Sequence, residues 1–275
     1  MNLLTIDIGN TATKIAIFRN KATTAATTAQ ATATSDIVFS CHIDGHDFSN
    51  LSALSQVQPY RPFSSCIVSS TANITDAMKL QLSEFAATDV IYLNHLTPIP
   101  IRNLYSTPQT LGTDRLASVT GAYYEAMNRN NGEPIDVLVI DMGTAITYDI
   151  IDAAGNYLGG NISPGVLMRL KALHHFTDKL PLVELSPEDF TNTADSFSFG
   201  DTTQSAIING VVQGVKCEIK GVVEQLLLKY PRLLIFLTGG DYINFDEQLK
   251  KRIFADKFLV AKGLNIILQY NAQIK

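Results

Sequence analysis

The stretch Val137-Leu-Val-Ile-Asp-Met-Gly-Thr-Ala-Ile-Thr-Tyr-Asp-Ile150 decides how the chain folds. Its four leading apolar residues, Val137 to Ile140, suit a central strand covered on both faces. Asp141 ends that strand, and packing explains it poorly, because charged side chains are seldom buried unpaired. Gly143, two residues on, lets backbone amides come close to a bound group. The chain then leaves as a second strand.

The same pattern opens the protein. Leu3-Leu-Thr-Ile-Asp-Ile-Gly-Asn-Thr-Ala-Thr-Lys-Ile-Ala-Ile-Phe18 aligns with it without a gap. Asp7 falls on Asp141, Gly9 on Gly143 and Thr13 on Thr147. The separation of 134 residues is about half of the 275-residue chain and a plausible domain length. Two related α/β lobes are expected, with their phosphate-binding turns facing one another across a cleft. Each turn alone also reads as a tight glycine hairpin with a capping aspartate. The repetition at half-chain spacing argues for the ligand-binding reading.

Composition bounds the function. A hydrophobic fraction of 46% and a charged fraction of 17% are ordinary for a soluble globular protein. The net charge of −5 offers no broad basic surface for nucleic acid. An anionic substrate would need local positive groups. Cys41, Cys66 and Cys217 form no CxxC pair or disulfide framework, and Cys41 and Cys66 read as buried thiols. Thr5 and Asp7 interrupt the apolar N-terminus, and no apolar run reaches the roughly 18 residues of a spanning helix. A cytoplasmic protein with no membrane partner is the expectation.

Residues 3–19 read as a hairpin, followed by an Ala/Thr-rich stretch from Asn20 to Asp36 suited to exposed strands or a loop. Strands are predicted at 37–41, 65–70 and 90–93. Helices are predicted around Leu51, Leu54 and Val57, stopping at Pro59, and from a Thr75 cap to Phe85. Leu116, Val119, Tyr123 and Met127 mark the apolar face of a helix running to about Asn128. Strands at 137–141, 145–151 and 157–162 form a meander, turned at Ala153-Ala-Gly-Asn156. Asp201 or Thr202 starts a long helix through Tyr230, on which Gly210 and Gly214 suggest close helix packing. A core strand at 233–238, a short strand Phe258–Val260 and a helix from Gly263 end the chain.

Phosphate needs amides, hydroxyls and a cation. Gly9, Asn10 and Thr11 can surround one phosphate group, Gly143 and Thr144 another, and Lys14 adds a point charge. Asp7 or Asp141 can hold magnesium directly or through water, since that ion prefers oxygen ligands. Asp114 and Arg115 begin a helix, where the helix terminus and the arginine favour a charged carboxylate. Phosphoryl transfer tolerates a weak base, because its loose transition state sheds the alcohol proton late. A plain capping aspartate with a surface arginine is the alternative. His42-Ile-Asp-Gly-His46 lacks a third convergent metal ligand and reads as a solvated loop. No Gly-x-x-x-x-Gly-Lys-Ser/Thr motif is present, which excludes a P-loop kinase.

Several motifs then carry a family resemblance. Asp7-Ile-Gly-Asn-Thr11, Tyr105-x-x-Pro108 with Leu111-Gly-Thr-Asp-Arg115, and Asp141-x-Gly-Thr144 occur in the order seen in type III pantothenate kinases. Gly159-Gly160-x-Ile162-x-Pro164-Gly165, Leu180-Pro181 and Thr238-Gly-Gly-Asp241 match as well. The resemblance covers nearly the whole chain. It implies the acetate and sugar kinase/Hsp70/actin fold, an α/β architecture of two ribonuclease-H-like lobes with the active site between them. The lobes would span 1–115 and 116–275, with the last helix able to pack back on the first lobe.

The resemblance also implies a reaction, the ATP-dependent phosphorylation of pantothenate that begins coenzyme A synthesis. Asp7, Ile8, Gly9, Asn10, Thr11, Ala12, Thr13, Lys14 and Thr144 would bind ATP. Tyr105, Gly112, Thr113, Asp114, Arg115 and Thr203 would bind pantothenate, with Asp114 as proton acceptor. Asp141 would hold an activating potassium or ammonium ion, magnesium would accompany ATP, and the enzyme would be a homodimer. Thr202 stands where family members often have asparagine. Two further readings stay open on fold grounds: a regulatory protein akin to the Bvg accessory factors, and a kinase of another small alcohol.

Overall fold

The computed structural model describes residues 1–19, 36–45, 55–86, 88–191, 198–240 and 252–274. The Ala/Thr-rich stretch at 20–35, residues 51–54 and Asp241 lie outside them. In chain order the elements begin with strands β1 (Asn2–Ile8), β2 (Ala12–Arg19), β3 (Asp36–Asp44) and β4 (Phe63–Ser70). Helix α1 (Asp76–Ala86), β5 (Val90–Tyr92), β6 (Arg102–Asn103) and α2 (Thr113–Arg129) follow. Next come β7 (Val137–Met142), β8 (Ala145–Ile151), β9 (Asn156–Pro164), α3 (Val166–His175), α4 (Pro187–Thr191) and α5 (Thr203–Lys229). The chain ends with β10 (Leu234–Gly239), β11 (Ile253–Ala255) and α6 (Leu259–Gln273).

Two compact units result. Unit 1 holds Met1–Gly132, Gly155–Tyr157 and Phe258–Lys275; unit 2 holds Glu133–Ala154 and Leu158–Lys257. The first division falls after Gly132, behind α2, whereas the sequence suggests a line between 115 and 116. Helix α2 stays with unit 1 because it packs tightly on α6. A Cβ at Gly263 would collide with the Ala117 carbonyl, and one at Gly121 with the Leu259 carbonyl. Only glycine permits that approach.

In unit 1 the strands run β3-β2-β1-β4-β5. β2 is antiparallel to β1 and β3, whereas β4 is parallel to β1 and β5. Alternation along β1 sends Leu4, Ile6 and Ile8 into one core, with Leu82 and Phe85 of α1. Leu3 faces the other way, into a second cluster with Ala117 of α2 and Leu264, Ile267 and Leu268 of α6. β1 is therefore covered on both faces, as its near-continuous apolar run predicts.

In unit 2 the order is β11-β10-β7-β8-β9. Its first strand, β7, lies between an antiparallel second strand, β8, and a parallel later one, β10. β1 has the same neighbours in unit 1, so the duplication read in the sequence is a duplication of topology. Leu138, Ile140 and Met142 of β7 share a core with Val211, Val212, Val215 and Ile219 of α5. The beginning of β9 belongs to unit 1, where Asn156 and Tyr157 pair with Arg102 and Asn103 of β6.

The gap-free alignment of the two hairpins breaks at their turns. Ile8 pairs with Thr13, leaving residues 9–12 as the loop, whereas Met142 pairs with Ile146, leaving only 143–145. Asp7 therefore faces Lys14, but Asp141 faces Thr147, not Tyr148. Thr147 occupies the place of Lys14 rather than that of Thr13.

Other differences have local causes. Phe258–Val260 is not a strand: Leu259 and Val260 open α6, and the edge strand is β11, parallel to β10. A three-residue apolar run fits either period. Among the described residues, Gly210 and Gly214 mediate no close packing, since a Cβ at either would meet open space. Near Val57 the described chain forms a 3₁₀ turn at Gln58–Tyr60. Cys66 is buried and its thiol is pushed up to about 12 by burial, but Cys41 is only half-buried and Cys217 is exposed. Among the described residues, no helix is long and apolar enough to cross a membrane.

Candidate active site

Asp7 lies near the carboxyl end of β1, 8% exposed, between Lys14 of β2 and Ser69 of β4 in register. The turn after it closes through Gly9 N–H to Ala12 O at 3.0 Å. The end of β3 braces this turn: Gly45 N–H donates to Thr11 O at 2.8 Å, and Thr13 Oγ1 donates to Gly45 O at 2.9 Å. Ile8 and Thr13 are buried anchors, whereas Asn10, Thr11 and Lys14 face solvent. Rigid backbone below and exposed polar groups above suit the capture of an anion.

The amino end of α2 is tied to the same sheet edge. Thr113 Oγ1 lies 3.0 Å from Ser69 Oγ, donates to Ser70 O at 3.3 Å and accepts from Ser70 N–H at 3.3 Å. Ser69 neighbours Asp7, so Thr113 and Asp114 stand at the strand ends that carry the Asp7 turn. Ligands of open α/β sheets bind at such carboxyl ends. Asp114 is half-buried in the first helical turn, and its Oδ1 accepts the Arg115 amide at 2.8 Å. Gly112 is the N-cap residue, with no side chain to occlude the terminus.

Arg115, 7% exposed, turns back toward Tyr105 and Tyr157. Its Cζ sits 5.9 Å from the Tyr105 ring centroid, and Nη2 donates to the Tyr157 hydroxyl at 3.2 Å. Tyr105 stacks on Tyr157 with centroids 6.2 Å apart and planes 17° from parallel. Tyr105 and Arg115, proposed from sequence, thus meet. Tyr157 is the member that sequence reasoning missed, because it reads as an ordinary apolar position of β9.

In unit 2, Asp141 ends β7 half-buried, and Gly143 N–H closes the next turn onto Ala145 O at 3.1 Å. Thr144 is exposed. Gly165 backs this turn: its N–H donates to Thr144 O at 3.1 Å, and a Cβ there would strike the Gly143 and Thr144 backbone. The Gly165 segment is held in turn by Arg169, which donates to Pro164 O through Nε and to Ser163 Oγ through Nη2, both at 2.8 Å. Arg169 pairs with Glu218 of α5, whose Oε1 accepts from the Tyr148 hydroxyl at 2.8 Å. Burial pushes the Glu218 carboxyl up, but hydrogen bonds from Arg169, Ser163 and Tyr148 outweigh it and hold the group below its usual range. Burial and the Glu218 bond push the Tyr148 hydroxyl up. Sequence alone carries no signal for this network, since Arg169 and Glu218 lie 49 residues apart.

Thr203 is exposed in the first turn of α5, which Thr202 opens through a capping box with Ser205. It lines a groove of about 810 Å³ with Arg169, Leu173, Phe176, Leu180 and Gly210. His42 belongs to strand β3 rather than a loop, and His46 lies outside the described residues. Among the described residues no cluster of three or more His, Cys, Asp or Glu could hold a metal ion.

Comparison with known proteins gives the family. The family model for type III pantothenate kinase matches residues 3–225. A type III pantothenate kinase of Phocaeicola vulgatus is 43% identical over 274 residues, covering 100% of both chains. One of Bacteroides fragilis is 41% identical over 271 residues, 98% of each chain. Among solved structures, the ADPNP-bound activator of 2-hydroxyisocaproyl-CoA dehydratase from Clostridium difficile aligns at TM-score 0.54 and 14% identity, covering 100% of this chain and 96% of its own. Component A of the Acidaminococcus fermentans (R)-2-hydroxyglutaryl-CoA dehydratase gives 0.54 at 13% identity, with 100% of both chains covered. These two show the fold alone, and it agrees with two ribonuclease-H-like lobes. From its own motifs and from its full-length relatives, the chain belongs to the type III pantothenate kinase family.

Proposed function

We propose that the protein transfers the γ-phosphate of ATP to the primary hydroxyl of pantothenate, forming 4'-phosphopantothenate, the first step of coenzyme A synthesis. One observation carries the reading. The candidate base, Asp114, follows a threonine whose hydroxyl is bonded to Ser69, the strand neighbour of Asp7. A carboxylate and a phosphate-binding turn thus share one sheet edge within one unit.

The roles follow from the chemistry. The turn from Asp7 through Ile8, Gly9, Asn10, Thr11, Ala12 and Thr13 to Lys14 binds ATP with its amides, hydroxyls and cation, and Thr144 is assigned to ATP as well. Tyr105, Gly112, Thr113, Arg115 and Thr203 hold pantothenate. Asp114 orients the alcohol and accepts its proton as the new P–O bond forms and ADP leaves with the electron pair of the broken bond. The low basicity of a carboxylate at a helix terminus is adequate because proton loss is late in a loose transition state.

Asp141 fits a monovalent cation, potassium or ammonium. Thr147 stands opposite it in register, so both side chains leave the same face. The Thr147 hydroxyl is buried without a hydrogen-bond partner among the described residues, an oxygen donor suited to such an ion. The ion, with magnesium on the nucleotide, would add positive charge near the phosphates.

A homodimer through unit 2 is part of the same proposal. Ile162, Leu167, Met168, Phe176 and Leu182 are exposed apolar side chains of that unit, available to such a contact. Cys41, Cys66 and Cys217 are free, in keeping with a reducing cytoplasm.

The test is ADP release measured with ATP, potassium and a series of acceptors. Release that needs pantothenate, and is absent with glycerol, acetate or sugars, supports the assignment. Release with another acceptor and none with pantothenate contradicts it.

A further inference from the structure

Tyr157 is fully buried, with a relative exposure of 0%, and therefore cannot touch a substrate. Yet it meets two of the residues proposed to hold pantothenate. Its ring stacks on Tyr105, and its hydroxyl accepts from Arg115 Nη2 at 3.2 Å. Its backbone also reaches the segment leading to Tyr105: Asn103 pairs with it across β6 and β9, and its carbonyl accepts from Leu104 N–H at 3.0 Å.

Packing explains the ring but not the hydroxyl. A phenylalanine would fill the same space, and a buried hydroxyl costs free energy unless it is hydrogen-bonded. The bond it makes is charge-assisted, to a guanidinium that is itself only 7% exposed. Arg115 lies on α2 and Tyr105 in the segment after β6, so neither fixes the other by sequence proximity. Tyr157 joins them: its backbone sets the chain before Tyr105, its ring sets the Tyr105 plane, and its hydroxyl sets the Arg115 fork.

We infer that Tyr157 is a positioning residue for the acceptor site, holding the Arg115 guanidinium and the Tyr105 ring in the arrangement that receives pantothenate. The inference rests on the assignment of Arg115 and Tyr105 to pantothenate binding. A guanidinium that loses this one acceptor is held less firmly at Nη2, and binding must then fix that end of the fork. The loss falls on the carboxylate-bearing acceptor and not on ATP.

Tyr157→Phe keeps every ring atom and removes only the acceptor oxygen. The expected result is a pantothenate KM raised about tenfold, the effect of one hydrogen bond to a charged group. The ATP KM and kcat should stay within about twofold, with a thermal midpoint lowered by the loss of one acceptor from a buried guanidinium. Arg115→Lys, measured beside it, separates the two layers. If Arg115→Lys leaves the pantothenate KM unchanged, the underlying acceptor assignment is wrong. If Arg115→Lys raises it and Tyr157→Phe does not, the positioning role is overturned. Equal changes in both KM values, or a fall in kcat alone, also overturn it, because they indicate general loosening. In the double variant the Tyr157 change should add nothing, since the fork it orients is gone.

Discussion

The Thr113 hydroxyl lies 3.0 Å from that of Ser69, and this pair ties the first turn of α2 to the strand beside Asp7. Thr113 also exchanges contacts with the Ser70 backbone at 3.3 Å, so three bonds meet at one oxygen. The proposed base and the proposed phosphate turn therefore share a rigid mount. Thr113→Val removes the mount while keeping the side-chain shape. It should cost about 1–3 kcal/mol of stability, because buried groups at the end of β4 lose their partner. It should also lower kcat by more than it raises the ATP KM, measured by steady-state assay beside thermal melts. An unchanged kcat would detach the mount from catalysis.

Gly165 limits how the Thr144 turn can sit. Gly165→Ala should push on the Gly143 and Thr144 carbonyls, costing about 1–3 kcal/mol as an overpacked contact does. The ATP KM should rise and the pantothenate KM should not. Nucleotide titration by calorimetry checks this directly.

The Glu218 network predicts a pH dependence. The folded carboxyl is held below its usual range, so its stabilisation is fully present above the unfolded value, about 4.3. That stabilisation is lost as pH falls through the folded value. Wild-type melting temperature should therefore drop below about pH 4 more steeply than that of Glu218→Gln, which has no proton to take up. Parallel curves would show that Glu218 contributes little to acid sensitivity.

Much of this was legible in the chain and some was not, for physical reasons. The paired strand–Asp–x–Gly units were visible because buried central strands must be apolar, and a carboxylate at their ends then stands out. The start of α5 was visible because Thr202 caps it locally. The unequal hairpin loops were not, since the same residue types serve loops of either length. Tyr157 and the Arg169–Glu218 pair depend on contacts between distant parts of the chain, which no local pattern records. The glycines illustrate the same limit. Gly210 and Gly214 have the helix-packing spacing but face open space, whereas Gly121 and Gly263, on different helices, make the close approach.

Asp114 is proposed to take the proton of the pantothenate hydroxyl. Asp114→Asn preserves size and can still accept the Arg115 amide, which Asp114 Oδ1 receives at 2.8 Å. The measurement is ADP release by this variant with saturating ATP, pantothenate and potassium. If Asp114 is the proton acceptor, kcat falls by about 100-fold or more, with both KM values little changed. Undiminished turnover would contradict that role.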